Sequence, residues 1–270
     1  MDRRGFLTVL AAGLVSAAAG RGAVALDREQ AVPAARARAR ETRPARTVPS
    51  AATRPRTLPA PTGVVSELPG PGSPLALTVD DGVSSEVVSA FVALAQRTGI
   101  RLTFFPNGCY RSWAESAAAL RPLIESGQVA VGNHTWSHPD LTTLDDAALT
   151  DQIRRNQDFL RRTLGVRETP FFRPPYGKHD ARTDRIAAEL GHPTIALWDG
   201  TLGDDRLISA DQLLAQARQW FQARRIVIGH ANHPTVTTVW AELLDLIASR
   251  QLRTVTLADV WTAWSPSRPG

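Results

Sequence analysis

The sequence predicts an α/β fold in which helices cover a parallel β-sheet. From Pro74 onward, short β-rich runs alternate with longer helical runs, about seven of each in about 200 residues. Titratable residues follow several of the predicted strands at their C-terminal ends, the face that carries the active site in parallel α/β folds. An open doubly wound sheet and a closed or partly closed barrel both agree with this pattern.

The predicted elements alternate in a regular order along the chain. Strands are expected at residues 75–79, 102–105, 129–132, 171–173, 194–198, 226–228 and 254–257. Helices are expected at residues 84–98, 113–126, 145–164, 180–190, 210–221, 236–249 and 258–264. The strand segments are short and β-rich, whereas the segments between them are longer and helical in pattern.

Residues 1–25 have the pattern of an export signal. Arg3-Arg4 precedes an apolar and small-residue run from Leu7 to Gly20, and Ala23-Val24-Ala25 has the pattern of a cleavage site. The run is shorter than the roughly 20 residues that span a bilayer, so we expect export and cleavage without stable membrane insertion. The paired arginines favour the twin-arginine route, which predicts a secreted or cell-envelope protein.

Residues 26–72 are expected to form a disordered linker before a folded domain at residues 73–270. The linker segment is rich in Ala, Arg, Pro, Thr and Gly and has no apolar periodicity. Such a segment cannot bury enough apolar surface to offset the entropy lost on ordering.

The charge distribution argues against a nucleic-acid partner. The formal net charge is +5, yet residues 1–70 hold 11 arginines and 5 acidic residues, and residues 71–270 hold 20 basic and 21 acidic residues. The predicted domain is therefore close to neutral and offers no basic surface for phosphates. The single cysteine, Cys109, excludes an intrachain disulfide and cysteine-rich metal centres.

Five predicted strands end in acids, histidines or an arginine. In chain order these residues are Asp80, Asp81, His134, His138, Arg173, Asp199, Asp204 and His230. Because the C-terminal ends of parallel strands share one face, we expect these side chains to meet there.

The spacing of two histidines suggests a metal site. His134 and His138 are four residues apart, which on a helical turn places both imidazoles on one face. Asp81 would complete a set of two histidines and one carboxylate that leaves positions for water and substrate. Asp80 would then be free to act as a base. The alternative for the two acids is a helix cap, although one Asp would satisfy it.

Four motifs together identify a family resemblance. Thr78-Val79-Asp80-Asp81-Gly82, the segment from His134 to His138, Arg173-Pro174-Pro175-Tyr176 and Ile228-Gly229-His230 occur in this order. Over roughly residues 74–260 they resemble the polysaccharide deacetylases, the NodB-homology domains of carbohydrate esterase family 4. The resemblance implies a distorted (β/α) barrel of the seven-stranded type. It also implies metal-dependent removal of N-acetyl groups from peptidoglycan or chitin-like polymers.

The resemblance implies a metal centre with one divalent ion. Asp81, His134 and His138 would bind it, with zinc expected and cobalt or another divalent ion as an alternative. Zinc lowers the pKa of bound water from about 15.7 to about 7, which makes hydroxide available near neutrality.

The resemblance also assigns catalytic roles around that centre. Asp80 would take a proton from the attacking water, and Arg173 would hold its orientation and charge. The backbone N–H of Tyr176 would stabilise the oxyanion, a contribution of about 2.7–4 kcal/mol in comparable sites. His230 would protonate the departing amine, and Asp204 would pair with that histidine and tune it.

The partner implied is an acetylated amino-sugar polymer, bound by a monomer. Pro174, Pro175 and Tyr176 would contact it, and Trp136 would either form a sugar platform or pack beneath the site. Asp205 stands where the family usually has Trp, so one apolar wall of the groove would be altered.

Two other functions stay open from the sequence. An O-acetyl esterase acting on xylan would use the same residues on a bond that is easier to hydrolyse. A non-catalytic cell-wall carbohydrate-binding module would keep the groove without turnover, although it would not need both Asp80 and His230.

Overall fold

The computed structural model describes residues 57–262. Within this range the strands are Leu58–Pro59 (β1), Gly63–Val65 (β2), Pro74–Asp81 (β3), Leu102–Pro106 (β4), Val129–Val131 (β5), Phe171–Phe172 (β6), Thr194–Ala196 (β7), Gly200–Thr201 (β8), Ile226–His230 (β9), Arg253–Val255 (β10) and Trp261–Thr262 (β11). The α-helices are Ser85–Thr98 (α1), Arg111–Glu125 (α2), Asp146–Phe159 (α3), Ala181–Glu189 (α4), Ala210–Trp220 (α5), Trp240–Ser249 (α6) and Leu257–Val260 (α7). Short 3₁₀ turns occupy Leu141–Thr143, Pro175–Gly177 and Pro234–Thr238.

Side-chain caps fix where several helices begin. The hydroxyl of Ser84 accepts a hydrogen bond from the backbone N–H of Val87 at the start of α1. Asp180 and Ser209 form reciprocal capping boxes at α4 and α5. Each cap satisfies N–H groups that the first helical turn leaves unpaired. The cap at α1 also marks where the turn that follows β3 ends.

The strands pair in parallel ladders. The order β5-β4-β3-β9-β8 forms the larger sheet, with β10 beside the first half of β3, and β2-β7-β6 form a second sheet. A parallel bridge between Asn133 and Phe172 joins the two sheets. The C-terminal ends of these strands therefore meet at one face.

Side-chain alternation along the strands separates two apolar regions. Leu75 and Val79 of β3 pack with the helices on the outer face. Ala76 packs instead with Phe105, Phe171 and side chains from β7, β9 and β10. Because side chains alternate along a strand, Thr78 and Asp80 face this inner region as well.

The structure corrects the expected start of the folded domain. Residues 57–72 were expected to belong to the linker, but β1 pairs with β11 and β2 pairs with β7. Leu68 is fully buried and Ala60 nearly so. The rest of the expected linker and the expected export signal lie outside the described residues.

Other differences from the predicted elements are local. The helix expected at residues 145–164 ends as an α-helix at Phe159 and closes with a π-helical turn over Leu160–Leu164. The helix expected from residue 236 begins at Trp240, after the 3₁₀ turn that Pro234 starts. The short strands β8 and β11 were not predicted.

The α/β prediction with parallel strands is confirmed. In the described part of the chain, no helix is both long enough and apolar enough to cross a membrane.

Candidate active site

Asp81, His134 and His138 converge as a candidate metal site. The Oδ1 atom of Asp81 lies 3.4 Å from Nε2 of His134 and 3.5 Å from Nε2 of His138. One ligand atom from each residue lies within 4.8 Å of the others. Ligands around a tetrahedral zinc ion lie about 3.3–3.6 Å apart, so the two separations from Asp81 match those around a shared cation.

The Oδ1 atom of Asp81 gives an independent test of this fit. It is buried and has no hydrogen-bond partner. A buried carboxylate oxygen left unpaired is costly, whereas a cation between the three side chains would satisfy it. Burial raises the pKa of Asp81, but His134, His138 and a hydrogen bond from Asn232 together lower it below its usual range. The carboxylate is therefore ionised, as a metal ligand requires.

The two histidines present unprotonated nitrogens to Asp81. Nδ1 of His134 lies 2.6 Å from the carbonyl oxygen of Arg173, which can only accept, so Nδ1 carries the proton and Nε2 keeps its lone pair. Burial and the neighbouring His134 lower the pKa of His138 to about 4. His138 is therefore neutral and suited to bind a cation at neutral pH, and the contact with the Arg173 carbonyl orients His134 toward the same carboxylate.

The histidines do not lie on a helical turn, which corrects that expectation. They lie in the loop after β5, where Thr135 and His138 adopt left-handed backbone angles, with φ of 69° and 60°. The amide of Asn107 donates to the carbonyl oxygens of His134 and Thr135. The Thr135 hydroxyl accepts from the N–H of His138 at 3.2 Å. Loop hydrogen bonds, and not helical spacing, bring the imidazoles together.

Asp80 is held by a buried arginine. It faces the inner region with Thr78, and Nη1 of Arg173 donates to both side chains, at 2.8 Å and 2.7 Å. Arg173 is fully buried, and its other nitrogens donate to the carbonyl oxygens of Ala196 and Leu197. Its guanidinium also lies 4.1 Å from the ring centre of Phe105. This arrangement fixes the position of the Asp80 carboxylate.

His230 faces Asp80 across the pairing of β3 and β9. The strand register places the two residues opposite each other. Nδ1 of His230 lies 3.0 Å from Oδ1 of Asp204, and the N–H of His230 donates to the other carboxylate oxygen at 3.2 Å. A Cβ at Gly229 would lie 3.0 Å from a methyl carbon of Leu202, so the Leu202 side chain would have to shift to admit one.

The pairing with Asp204 keeps His230 protonated. Burial lowers the pKa of His230, but the hydrogen bond to Asp204 and the charges of Asp80, Asp204 and Asp81 outweigh it and raise the pKa to about 9. At neutral pH the imidazolium has a proton to give. Asp199, by contrast, bonds Arg225 and the N–H of Ile226.

These groups line one cleft of about 500 Å³. Its walls are formed by Asp80, Asp81, His134, His138, Pro174, Tyr176, Trp198, Thr201, Asp205, Ile228 and His230. Tyr176 is 62% exposed at the rim, and its ring centre lies 4.5 Å from that of His138. Asp205 also lines the cleft, so a carboxylate stands on its wall. Trp198, which the sequence did not single out, supplies an aromatic wall.

Two residues expected to contact substrate lie elsewhere. The guanidinium of Arg155 lies 4.6 Å from the ring centre of Trp136, which also packs against Phe159. Trp136 does not line the cleft, and its contacts are with Arg155 and Phe159. Pro175 is buried at the start of its 3₁₀ turn and does not line the cleft either, whereas Pro174 does.

Asn232 is a site residue that the sequence analysis missed. Its side-chain amide donates to Oδ2 of Asp81 at 2.7 Å. An Asn two residues after a strand-end histidine carries no spacing signal, because the contact joins residues 151 positions apart.

This chain is similar to several known proteins. A family model for polysaccharide deacetylase matches residues 68–195. An uncharacterized protein of Streptomyces coelicolor is 33% identical over 181 residues, which cover 66% of this chain and 68% of that protein. A peptidoglycan-N-acetylglucosamine deacetylase of Listeria monocytogenes is 28% identical over 187 residues, covering 69% of this chain but only 38% of the Listeria protein. The structure of a chitin deacetylase from Colletotrichum lindemuthianum matches with a TM-score of 0.66 and 24% identity, over 77% of this chain and 95% of that one.

Proposed function

The chain belongs to the polysaccharide deacetylase family, and we propose that it removes N-acetyl groups from an amino-sugar polymer of the peptidoglycan or chitin type. The observation that carries this proposal is the grouping of three functions in one cleft. A candidate metal site lies beside an arginine-held carboxylate, Asp80, and a protonated imidazole, His230. The deacetylase activities named for the relatives support the same substrate class.

Asp81, His134 and His138 would hold one divalent cation, for which we propose zinc, with cobalt as the alternative. Such an ion supplies Lewis-acid chemistry, because it lowers the pKa of a coordinated water from about 15.7 to about 7 and polarises the acetyl carbonyl. The chain supplies the geometry: the free Oδ1 of Asp81 and two imidazole nitrogens face one point.

Asp80 acts as the general base. Arg173 occupies its Oδ1 atom, while Oδ2 lies 3.5 Å from Nε2 of His134, on the side of the metal ligands. Asp80 therefore takes a proton from the water that adds to the acetyl carbon. General-base help of this kind contributes about 10²- to 10⁴-fold to a rate. The backbone N–H of Tyr176, in the turn at the rim of the cleft, donates to the carbonyl oxygen as it gains charge.

His230 acts as the general acid. When the C–N bond breaks, the nitrogen takes the proton from His230 and leaves as a neutral amine, and acetate is the second product. An unprotonated amine anion is a very poor leaving group, so this bond needs an acid more than an ester bond does. A pKa of about 9 keeps the acid charged throughout the neutral range.

The buried ion pair argues against a binding module that lacks turnover. Burying an arginine and a carboxylate is costly, and apolar residues of similar size often replace such pairs without loss of stability. Sugar binding alone gives no reason to hold Asp80 in this way beside a metal site.

Acetate release tests the proposal. The zinc-loaded protein is incubated with N-acetylated chitin oligomers, peptidoglycan and acetylated xylan, with and without a chelator. We expect chelator-sensitive release from an N-acetylated polymer and little release from xylan. Chelator-sensitive release from xylan alone would support the esterase, and binding to all three polymers without release would support the binding module.

The variant His230→Gln separates the two bonds within one protein. It removes the acid but leaves the metal ligands and Asp80 unchanged. We expect the rate on N-acetyl substrates to fall much further than the rate on a phenyl acetate ester, whose leaving group needs no proton. Equal losses on both substrates would contradict the acid role.

We propose that the protein reaches the cell envelope through an export signal at residues 1–25. The support is the order of Arg3-Arg4, the apolar run and the small-residue motif. A fusion of residues 1–30 to a reporter should be exported, and changing both arginines to lysine should stop export. Unchanged export of that double variant would point to the general secretory route.

A further inference from the structure

We propose that Asn232 is a positioning residue for the metal centre, holding the Asp81 carboxylate so that one oxygen alone faces the two histidines. The inference rests on the metal-dependent function proposed above and deepens it. It concerns how tightly and in what geometry the cation is held.

The turn after β3 explains why such a residue is needed. Asp81 and Gly82 both adopt left-handed backbone angles, with φ of 68° and 100°. The chain therefore leaves the sheet at Asp81, and regular pairing with β9 ends there. The orientation of the Asp81 carboxylate on this turn is set by the groups that contact it.

The segment after β9 supplies that group. The N–H of Ala231 donates to the carbonyl oxygen of Asp80 at 3.0 Å, and the N–H of Ser84 donates to the carbonyl oxygen of Ala231 at 3.1 Å. Between these two backbone bonds lies the side chain of Asn232. Its Nδ2 donates to Oδ2 of Asp81 at 2.7 Å, and its Oδ1 accepts from the N–H of Val83 at 3.2 Å.

The amide of Asn232 thus acts as a substitute peptide group. It offers one donor and one acceptor in a plane, and it carries the pairing of the two segments across the left-handed turn. An ionised Asp cannot donate, and a Ser hydroxyl is shorter than the amide. The side chain therefore fits both contacts at once.

The consequence for Asp81 follows from which oxygen is occupied. Asn232 takes Oδ2, and Oδ1 is left buried, unpaired and 3.4–3.5 Å from the two imidazole nitrogens. The carboxylate is thereby presented through one oxygen. Hydrogen bonds that orient metal ligands in this way typically change metal affinity by about 10- to 100-fold.

The charge of the partner also separates the two neighbouring acids. Asp80 is paired with the cation of Arg173, whereas Asp81 is paired with a neutral amide. A positive partner on Asp81 would repel a divalent ion, but a neutral donor orients the carboxylate without opposing the ion. The partners thus match one acid to proton transfer and the other to metal binding.

Zinc affinity, measured by competition with a chromophoric chelator, tests the inference without using activity. We expect Asn232→Ala and Asn232→Leu to bind zinc about 10- to 100-fold more weakly than the natural sequence. Gln222→Ala, which removes an exposed amide that donates to the carbonyl oxygen of Gln219, is the matched control and should bind zinc unchanged. The thermal midpoint of each metal-free protein shows whether the variants remain folded.

The outcomes separate positioning from a general structural role. Weaker zinc binding with an unchanged midpoint of the metal-free protein supports the inference. Zinc affinity equal to that of the natural sequence in both Asn232 variants overturns it, and so does a loss that appears only together with a lower metal-free midpoint. If the natural sequence itself binds no zinc, the proposed function fails first, which is a different result.

The visible spectrum of the cobalt-loaded protein gives a second readout. Freeing Oδ2 in Asn232→Ala should let Asp81 bind through both oxygens, and the absorption of Co²⁺ weakens as its coordination number rises. We therefore expect a weaker band in the variant than in the natural sequence at full loading. An identical band would contradict one-oxygen presentation by Asn232.

Discussion

The pairing of His230 with Asp204 makes a quantitative prediction about pH. Replacing Asp204→Asn keeps the size of the side chain and one oxygen that accepts from Nδ1 of His230, but it removes the negative charge. The hydrogen bond and charge of Asp204 are main causes of the raised pKa of His230, against a burial effect that lowers it. The variant should therefore lose most of the rise from 6.5 to about 9.

The size of the effect follows from the fraction of His230 that carries a proton. With a pKa of about 9, roughly nine tenths of the imidazole is protonated at pH 8; with a pKa about two units lower, about 9% is. We therefore expect kcat/KM for an N-acetylated oligomer to fall about 10-fold at pH 8. Near pH 5.5 the imidazole is protonated in both proteins, so the difference should nearly vanish.

The assay is a pH profile of kcat/KM for acetate release from pH 5.5 to 10, at saturating zinc. A bound divalent cation lowers the pKa of the imidazolium in both proteins, so the quantity to compare is the displacement of the alkaline limb between them. We expect that limb to move to lower pH by about two units in Asp204→Asn. A profile that drops by one factor at every pH, with its alkaline limb unmoved, would refute the acid role of His230.

Three further predictions test other parts of the site and the fold. Asp80→Asn should lower kcat about 10²- to 10⁴-fold with the zinc affinity unchanged, as measured by acetate release and chelator competition; a normal kcat would contradict the base role. Gly82→Ala should lower the free energy of unfolding in urea by at least about 1–3 kcal/mol, because its φ is 100° and a Cβ would lie 2.1 Å from Nε1 of Trp113. Trp198→Ala should raise KM for an oligosaccharide, whereas Trp136→Ala should lower the urea midpoint with KM unchanged; the reverse result would restore Trp136 as the sugar platform.

The parallel α/β fold could be predicted because it depends on local patterns. Alternating runs of apolar strand and amphipathic helix mark the elements from β3 to β10 in the sequence. The strands at residues 57–72 could not be found in this way, because their composition is that of the preceding linker. They form strands because they pair with distant residues: Leu58 pairs with Trp261, and Gly63 with Thr194.

The proximity of Asp80 and His230 could be predicted, because strand ends share one face. Asp80 and His230, which lie 150 positions apart, come together through the register of β3 and β9. The loop that carries His134 and His138 could not be predicted, since its left-handed angles fall on residues other than glycine. The direction of Trp136 and the contact of Asn232 depend on tertiary packing that no spacing reveals.

A zinc titration of the metal-free protein tests the central claim most directly. Acetate release from an N-acetylated oligomer is measured as zinc is added back in known amounts. We expect the rate to start near zero, rise in proportion to zinc and level off at one ion per chain, with no rise in Asp81→Ala. A metal-free protein that releases acetate at the full rate, or a rate that keeps rising past several ions per chain, would contradict a single catalytic cation held by Asp81, His134 and His138.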